Sequence, residues 1–346
     1  MLAARIVKPG VGFEIDDVEV PKVGAQDVLV EIKAAGVCGT DLHYSRGEYL
    51  PPLPRTFGHE GAGVVKEVGS GVTGVKVGDR VAIHYVISCG VCKHCMMGND
   101  NRCRQRVSIG HDVDGFFAEY VRVPARNVLK IADNVPFEWA ALTGCAVSTA
   151  YHAVTISGLR RGDTAIVFGA GGVGLHAAMW ARYFGAGKVI SVDLVDSKLE
   201  AARKYGADVT INPSRQDVLE IVKNETDGWG VDAAIECSGS HAAMEQAIKA
   251  AKGKNAYETG SIVSVGLQLK PFEANFMGLR EGRLMVSGDH NRKELAEILD
   301  LEASGRVELS QSVTKHISLG GINDAVNMLA THQPGVERTV IDRMSR

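Results

Sequence analysis

Two rhythms of apolar and polar positions divide the chain. Up to about residue 147 the apolar runs are short, and those at 28–32, 63–68, 79–83 and 117–123 read as strands. Gly, Pro or Asp bounds each run, and tight turns such as 69–71 and 77–79 suit a small barrel-like sheet. From Ser148 onward strand-like runs alternate with helix-like ones. Six strands are expected, at 165–168, 189–192, 208–211, 231–235, 261–265 and 284–287, which make the two halves of a doubly wound parallel sheet. A helix at 197–205 ends at a capping Gly206. The tail carries a helix from Arg292 to about 304 and extended segments near 307–313 and 339–341. It exceeds what six strands need, so it is expected to return to the first domain. The expectation is an α/β protein with domains at 1–147 and 148–288, and residues 289–346 rejoining the first.

The stretch from Thr164 to Asp193 carries the first chemistry. A short apolar run, Ala165 to Phe168, suits a strand buried on both faces, and Gly169, Gly171 and Gly174 follow it as G-x-G-x-x-G. The glycines serve a tight turn, a close backbone approach to pyrophosphate, and close helix-on-strand packing. Backbone N–H groups around Gly172, Val173 and Gly174 open the next helix, where the dipole favours phosphate. Asp193 closes the following strand nineteen residues beyond Gly174, where a carboxylate can accept both hydroxyls of an adenosine ribose. It would repel a 2′-phosphate, and Leu194 and Val195 bring no arginine to receive one. NAD is therefore expected over NADP.

Composition narrows the class. With a net charge of −3 over 346 residues there is no basic surplus for nucleic acid. The first residues lack the apolar core of a signal peptide, and no run of eighteen apolar residues exists to span a membrane. The expectation is a cytoplasmic protein. Seven cysteines, an odd number, argue against a closed disulfide framework and turn attention to metal or catalysis.

Cys89, Cys92, Cys95 and Cys103 follow C-x2-C-x2-C-x7-C, and four thiolates on one lobe can surround Zn2+ tetrahedrally. A closed four-sulfur shell leaves no position for substrate, so this zinc is structural. Lys93, His94, Arg102, Arg104 and Arg106 raise a nucleic-acid zinc ribbon as the rival, but charges on a solvated loop are the ordinary explanation of them.

Cys38-Gly-Thr-Asp-Leu-His43, Gly58-His-Glu-Gly-Ala-Gly63, the four-cysteine lobe and the glycine fingerprint together resemble the zinc-dependent alcohol dehydrogenases of the medium-chain dehydrogenase/reductase family. The resemblance covers essentially the whole chain. It implies a GroES-like catalytic domain beside a Rossmann domain, and a second, catalytic zinc on Cys38, His59 and Cys145. It implies that Glu60 is a carboxylate able to approach the metal, and that Asp41 accepts from the other ring nitrogen of His59. Thr40 matches a hydroxyl of the proton relay and His43 the base nearer solvent. Arg338 resembles an arginine paired with the cofactor pyrophosphate, and Lys198 a lysine near the adenosine ribose. Gly39 stands where some members place a pyrophosphate-binding arginine. By spacing, Tyr49 and Tyr85 are expected to line the substrate pocket, with His84 beside them, while Cys237 is left to the core.

The reaction implied is hydride transfer between a primary or secondary alcohol and NAD, giving an aldehyde or ketone. Polyol and threonine dehydrogenases are the near alternatives, and a non-catalytic zinc-stabilised NAD-binding module the distant one. The polyol branch usually presents a glutamate where this chain has Cys145. The resemblance also implies a homotetramer, with the last Rossmann strand near 284–287 meeting its mate across a twofold axis.

Overall fold

The structure is a computed structural model that describes residues 1–251, 259–267, 271–273 and 281–346. The chain divides into two compact units, one of Met1–Ser148 with His290–Arg346 and one of Thr149–Asp289. No helix among the described residues is long and apolar enough to cross a membrane.

The first unit is organised on the eleven-residue strand Asp27–Val37. One edge pairs antiparallel with Glu60–Val68. Its other edge is shared: Asp27–Glu31 meet Tyr120–Pro124, and Ala35–Val37 meet Thr339–Ile341 of the strand Arg338–Arg343. Further strands extend the sheet to Val128–Lys130 on one side and Val313–Ser318 on the other. Val28, Val30, Ile32, Ala35, Val37, Val65, Val81 and Ile83 bury their side chains between this sheet and Phe57, Phe116 and Phe117. The strand expected at 117–123 begins only at Tyr120. Before it, Phe117 turns its backbone to Phe57 and Ala4, which bind it at 2.9 and 2.7 Å, so the segment serves the neighbouring three-stranded sheet instead.

A two-stranded ribbon, Val86–Ile87 with Val107–Ser108, roots the segment that carries the four spaced cysteines. Local sequence sets this lobe rather than a core, since most of its side chains stay partly exposed.

The second unit holds the doubly wound sheet. Six parallel strands lie in the order Val209–Ile211, Lys188–Val192, Thr164–Phe168, Ala233–Glu236, Ser261–Ser264, Arg283–Val286. The order reverses direction between Thr164–Phe168 and Ala233–Glu236, the position at which such sheets bind nucleotides. Ala165 to Phe168 are buried, as strands covered on both faces by helices must be. The helix Asp196–Lys204 stops where Gly206 takes φ +99°. The helix Gly172–Tyr183 packs so closely that a Cβ on Gly174 would stand 1.7 Å from the carbonyl oxygen of Gly169.

That contact yields a stability test. Gly174→Ala is expected to destabilise the fold by about 1–3 kcal/mol through overpacking against backbone. A thermal melt unchanged from the parent protein would refute this reading of the helix–strand contact.

Candidate active site

The four-cysteine lobe forms a cage. Sγ–Sγ separations are 3.5 Å for Cys92–Cys95, 3.9 Å for Cys89–Cys95 and 3.9 Å for Cys92–Cys103. A tetrahedron of thiolates around zinc, with Zn–S near 2.3 Å, has edges of about 3.8 Å. Backbone N–H groups of Cys89, Cys92 and Gln105 point at the sulfurs from 3.3 to 3.4 Å, which stabilises thiolate charge. All four cysteines are free of disulfides. The cage fits a zinc ion with every position filled by protein.

A second cluster brings Cys38, His59, Glu60 and Cys145 together, with ligand atoms all within 4.8 Å of one another and every residue buried. Each member stands where a strand or helix ends or distorts. Cys38 follows the strand Asp27–Val37 and caps the helix Gly39–Ser45, where Asp41 returns a bond of 2.8 Å to the Cys38 N–H. His59 directly precedes the strand Glu60–Val68. Cys145 lies in the π-helical turn Thr143–Val147, a wide turn often found at functional sites. Thr143 is tied through its hydroxyl to the buried Glu302, and Ser148 donates to the Thr143 carbonyl at 2.6 Å.

The electrostatics favour a cation. The bond from Cys145 holds the Cys38 thiol well below its ordinary range, against burial and with help from His59. Burial lifts the Asp41 carboxyl to about 7 and raises Glu60 as well. Burial opposes charge on His59, yet Cys38, Asp41 and Glu60 outweigh it and carry the imidazole up to about 10. Glu60 Oε1 is buried with no hydrogen-bond partner. Two sulfurs, an imidazole and an orphaned carboxylate oxygen are a donor set that suits zinc.

Several expected residues take different partners. Arg338, expected at a pyrophosphate, is 3% exposed and bonded to Glu60 Oε2. The carboxylate of the metal cluster takes Nη2, while Nε has no hydrogen-bond partner. Asp41 lies 3.9 Å from His59 Nδ1, beyond hydrogen-bond reach, because its other oxygen is held by the Cys38 amide. Thr40 and His43 sit three apart on one short helix, so they share a face, and His43 Nδ1 bonds Glu48 at 2.6 Å. Tyr85 is buried edge-on to His59, with ring centroids 5.5 Å apart. Tyr49 is 57% exposed and stacks on His111 rather than burying itself. His84 is buried on Asp100 and His290. Cys237 is half-buried in the second unit, and desolvation pushes its thiol up.

The nucleotide cradle lies wholly in the second unit. Gly169 adopts φ +87°, and a Cβ there would meet Ser238 at 2.9 Å. Gly171 faces open space, with nothing within 4 Å of a Cβ, and it caps the helix Gly172–Tyr183 with no side chain on the first amides. Phosphate oxygens can therefore reach the N–H groups of Gly172, Val173 and Gly174. Asp193 is fixed by the amides of Ala170 at 2.7 Å and Val195 at 2.9 Å. Lys198 stands half-buried in the first turn of the next helix. Arg215 is bound to Asp196 at 2.6 and 2.9 Å, so its guanidinium is engaged with an acid.

Two functional contributors escaped the sequence reading. Glu236 ends its strand and ties down Ser238 and Gly239, which back the glycine loop; a strand-terminal acid beside Ser-Gly is a signal that could have found it. Gly36 leaves room for Glu60: a Cβ there would overlap its Oε2 at 1.9 Å. No local pattern announces that.

Residues 24–133 match the alcohol dehydrogenase GroES-like domain, and residues 172–304 match the zinc-binding dehydrogenase domain. An alcohol dehydrogenase of Geobacillus stearothermophilus is 38% identical over 326 residues, spanning 93% of this chain and 94% of that one. The chain belongs to the zinc-binding, medium-chain alcohol dehydrogenase family. An L-threonine 3-dehydrogenase of Symbiobacterium thermophilum is 34% identical over 350 residues, 97% of this chain and 96% of that one. The solved structure of an alcohol dehydrogenase from Escherichia coli CFT073, complexed with NADH, superposes with a TM-score of 0.90 at 29% identity over 99% and 98% of the two chains. This dehydrogenase accordingly takes a nicotinamide dinucleotide and two zinc ions, with one cage for structure and one for catalysis.

The two cages make separable predictions. Cys92→Ser is expected to lower the unfolding temperature, because a closed thiolate site contributes folding free energy. Cys145→Ser is expected to leave one zinc per chain, an unchanged NAD affinity and no turnover. Metal analysis by mass spectrometry checks both, and one zinc in fully active parent protein would overturn the two-site assignment.

Proposed function

We propose that this dehydrogenase oxidises simple or aromatic alcohols with NAD, giving the aldehyde or ketone, NADH and a proton. The observation that carries the proposal is the cluster of Cys38, His59 and Cys145 with an orphaned Glu60 oxygen, three donors that can hold a metal and a fourth that can come and go as substrate takes its position. Cys38, His59 and Cys145 hold the catalytic zinc, and Glu60 stands by to approach it. When bound, zinc supplies a Lewis acid that acidifies an alcohol hydroxyl, and NAD supplies the hydride acceptor.

The chain's own part is to position groups and move the proton. The Thr40 hydroxyl takes the hydroxyl proton and passes it toward His43, its neighbour on the same helix face. Glu48 has no proton to give when ionised, so His43 Nδ1–H donates to it and Nε2 is left to accept. Tyr85 packs against His59 and narrows the site with an apolar face. Tyr49 flanks the entrance through its stack on His111. Asp193 receives the adenosine ribose, Lys198 lies near it, and the amides after Gly171 receive the pyrophosphate.

Threonine oxidation is the second reading. It is supported by a threonine dehydrogenase relative that spans as much of the chain as the alcohol dehydrogenases do. Polyols are disfavoured because Cys145 gives the metal a second thiolate where a glutamate would leave it more acidic.

We also place the protein in the cytoplasm as a homotetramer. The strand Arg283–Val286 ends the sheet among the described residues, and Val286 is 82% exposed on it, which suits an edge-to-edge twofold contact. Light scattering at monomer mass in active protein would refute the assembly.

Two measurements test the reaction. NAD reduction over simple alcohols, aromatic alcohols, diols, polyols and threonine is expected to give the highest kcat/KM with simple or aromatic alcohols, and a polyol or threonine maximum would move the assignment. Asp193→Ser with Leu194→Arg is expected to raise NADP use at the expense of NAD. Equal kcat/KM for both cofactors in the parent enzyme would sink the role of Asp193.

A further inference from the structure

We infer that Asp100, His84 and His290 form a buried hydrogen-bonded brace that holds Tyr85 against His59, so that the four-cysteine lobe positions the catalytic metal ligand. The inference rests on the reading of Cys38, His59 and Cys145 as the catalytic centre.

Asp100 opens the short turn Asp100–Arg102, between Cys95 and Cys103, so the cysteine cage decides where its carboxylate stands. Its Oδ2 lies 3.0 Å from His84 Nε2, and its Oδ1 accepts from the Arg292 N–H at 3.1 Å, at the start of the helix Arg292–Ala303. Burial pushes the Asp100 carboxyl up, but its hydrogen bonds to His84 and to the Arg292 N–H hold it below the usual range. An ionised carboxylate cannot donate, so His84 Nε2 carries the hydrogen. His84 Nδ1 lies 3.2 Å from His290 Nε2, and both rings are buried. A neutral His84 accepts at Nδ1, and His290 Nε2–H then donates. One carboxylate thereby orders two imidazoles in series.

The backbone beside His84 is clamped from the other side. The His84 N–H donates to the Asn127 carbonyl at 2.8 Å. The Asn127 side chain donates to the carbonyls of His84 and Val86 at 2.7 and 2.9 Å. The carbonyl of Tyr85 accepts from Ile109 at 2.9 Å. Tyr85 is left one place for its ring, against His59 at 5.5 Å, His290 at 5.7 Å and His84 at 6.3 Å. His59 needs that support. Cys38 bonds the imidazole and Asp41 is too far from Nδ1 to add a second hydrogen bond, so the tilt of the ring about the Cys38 contact is left to packing, and Tyr85 is the ring packed on it among the described residues. Asp100, His84 and His290 touch no metal-ligating atom in this arrangement. They are positioning residues, and they act through Tyr85.

The test uses Asp100→Ala, His84→Ala and His84→Gln in the full-length, zinc-loaded enzyme. Zinc per chain, amide hydrogen exchange over residues 84–87, and kcat and KM are measured on an alcohol the parent oxidises. Both alanine variants are expected to keep two zincs, exchange faster at 84–87, and lose about tenfold in kcat/KM. His84→Gln, whose side-chain amide can donate to Asp100, is expected to recover most of that loss and the slow exchange. Parental exchange and kcat/KM in the alanine variants would overturn the brace, as would a glutamine variant no better than alanine. If Asp100→Ala sheds the structural zinc, His290→Ala leaves the lobe intact and decides by the same measures. A parent that oxidises no alcohol would refute the proposed reaction, while zinc content and exchange would still decide the brace.

Discussion

Buried negative charge at the end of the strand Asp27–Val37 is the constraint on which the first unit depends. Cys38 and Glu60 crowd with the Asp41 carboxyl out of water, and the cations that face them are His59 and Arg338, the latter bonded to Glu60. Removing one partner of a buried pair such as Glu60–Arg338 costs about 3–5 kcal/mol, because the other charge is left uncompensated. A divalent cation on the thiolates would take over that balance once His59 gives up its proton to become a ligand. Much of the local architecture serves this cluster. Asp41 turns one oxygen to the amide of Cys38, Gly36 keeps clear of Glu60, and the π turn at Thr143–Val147 presents Cys145.

The second unit solves the opposite problem with backbone instead of side chains. Its bare helix start collects N–H groups that favour an anion, and glycines keep side chains off them. Asp193 adds a single acid whose place is set by two amides, so that it can select hydroxyls over a phosphate. A cation site built from charge and an anion site built from amides are thus both products of how strands end.

What could be read from sequence was what lies close together along it. The cysteine cage and the glycine loop are complete within short stretches, so their residue types and spacing carry the geometry. Cys145 was legible only through its flanking residues and their resemblance to a family. The partners that tune the centre were not legible, because they are distant. Glu60 meets Arg338 across 278 positions, Thr143 meets Glu302 across 159, and His84 meets His290 across 206. Such pairings leave no periodic trace. The same distance hides the pairing of Arg338, whose type suits a phosphate and whose strand register also brings it to Glu60. Tyr49 shows a second limit. Its backbone lies at φ 126°, a loop geometry that spacing from Cys38 does not reveal.

The shared edge of Asp27–Val37 orders events in the making of the protein. Synthesis runs from the N-terminus, and early segments begin to fold before later ones exist. Cys38, His59, Glu60 and Cys145 are all translated before Arg338, three hundred residues after Cys38, has been added to the nascent chain. Until Arg338–Arg343 arrives, the last third of the strand has one bare edge and Glu60 has no counterion. A buried carboxylate without its counterion favours water, so that end of the sheet cannot close around Glu60 until the returning strand supplies Arg338.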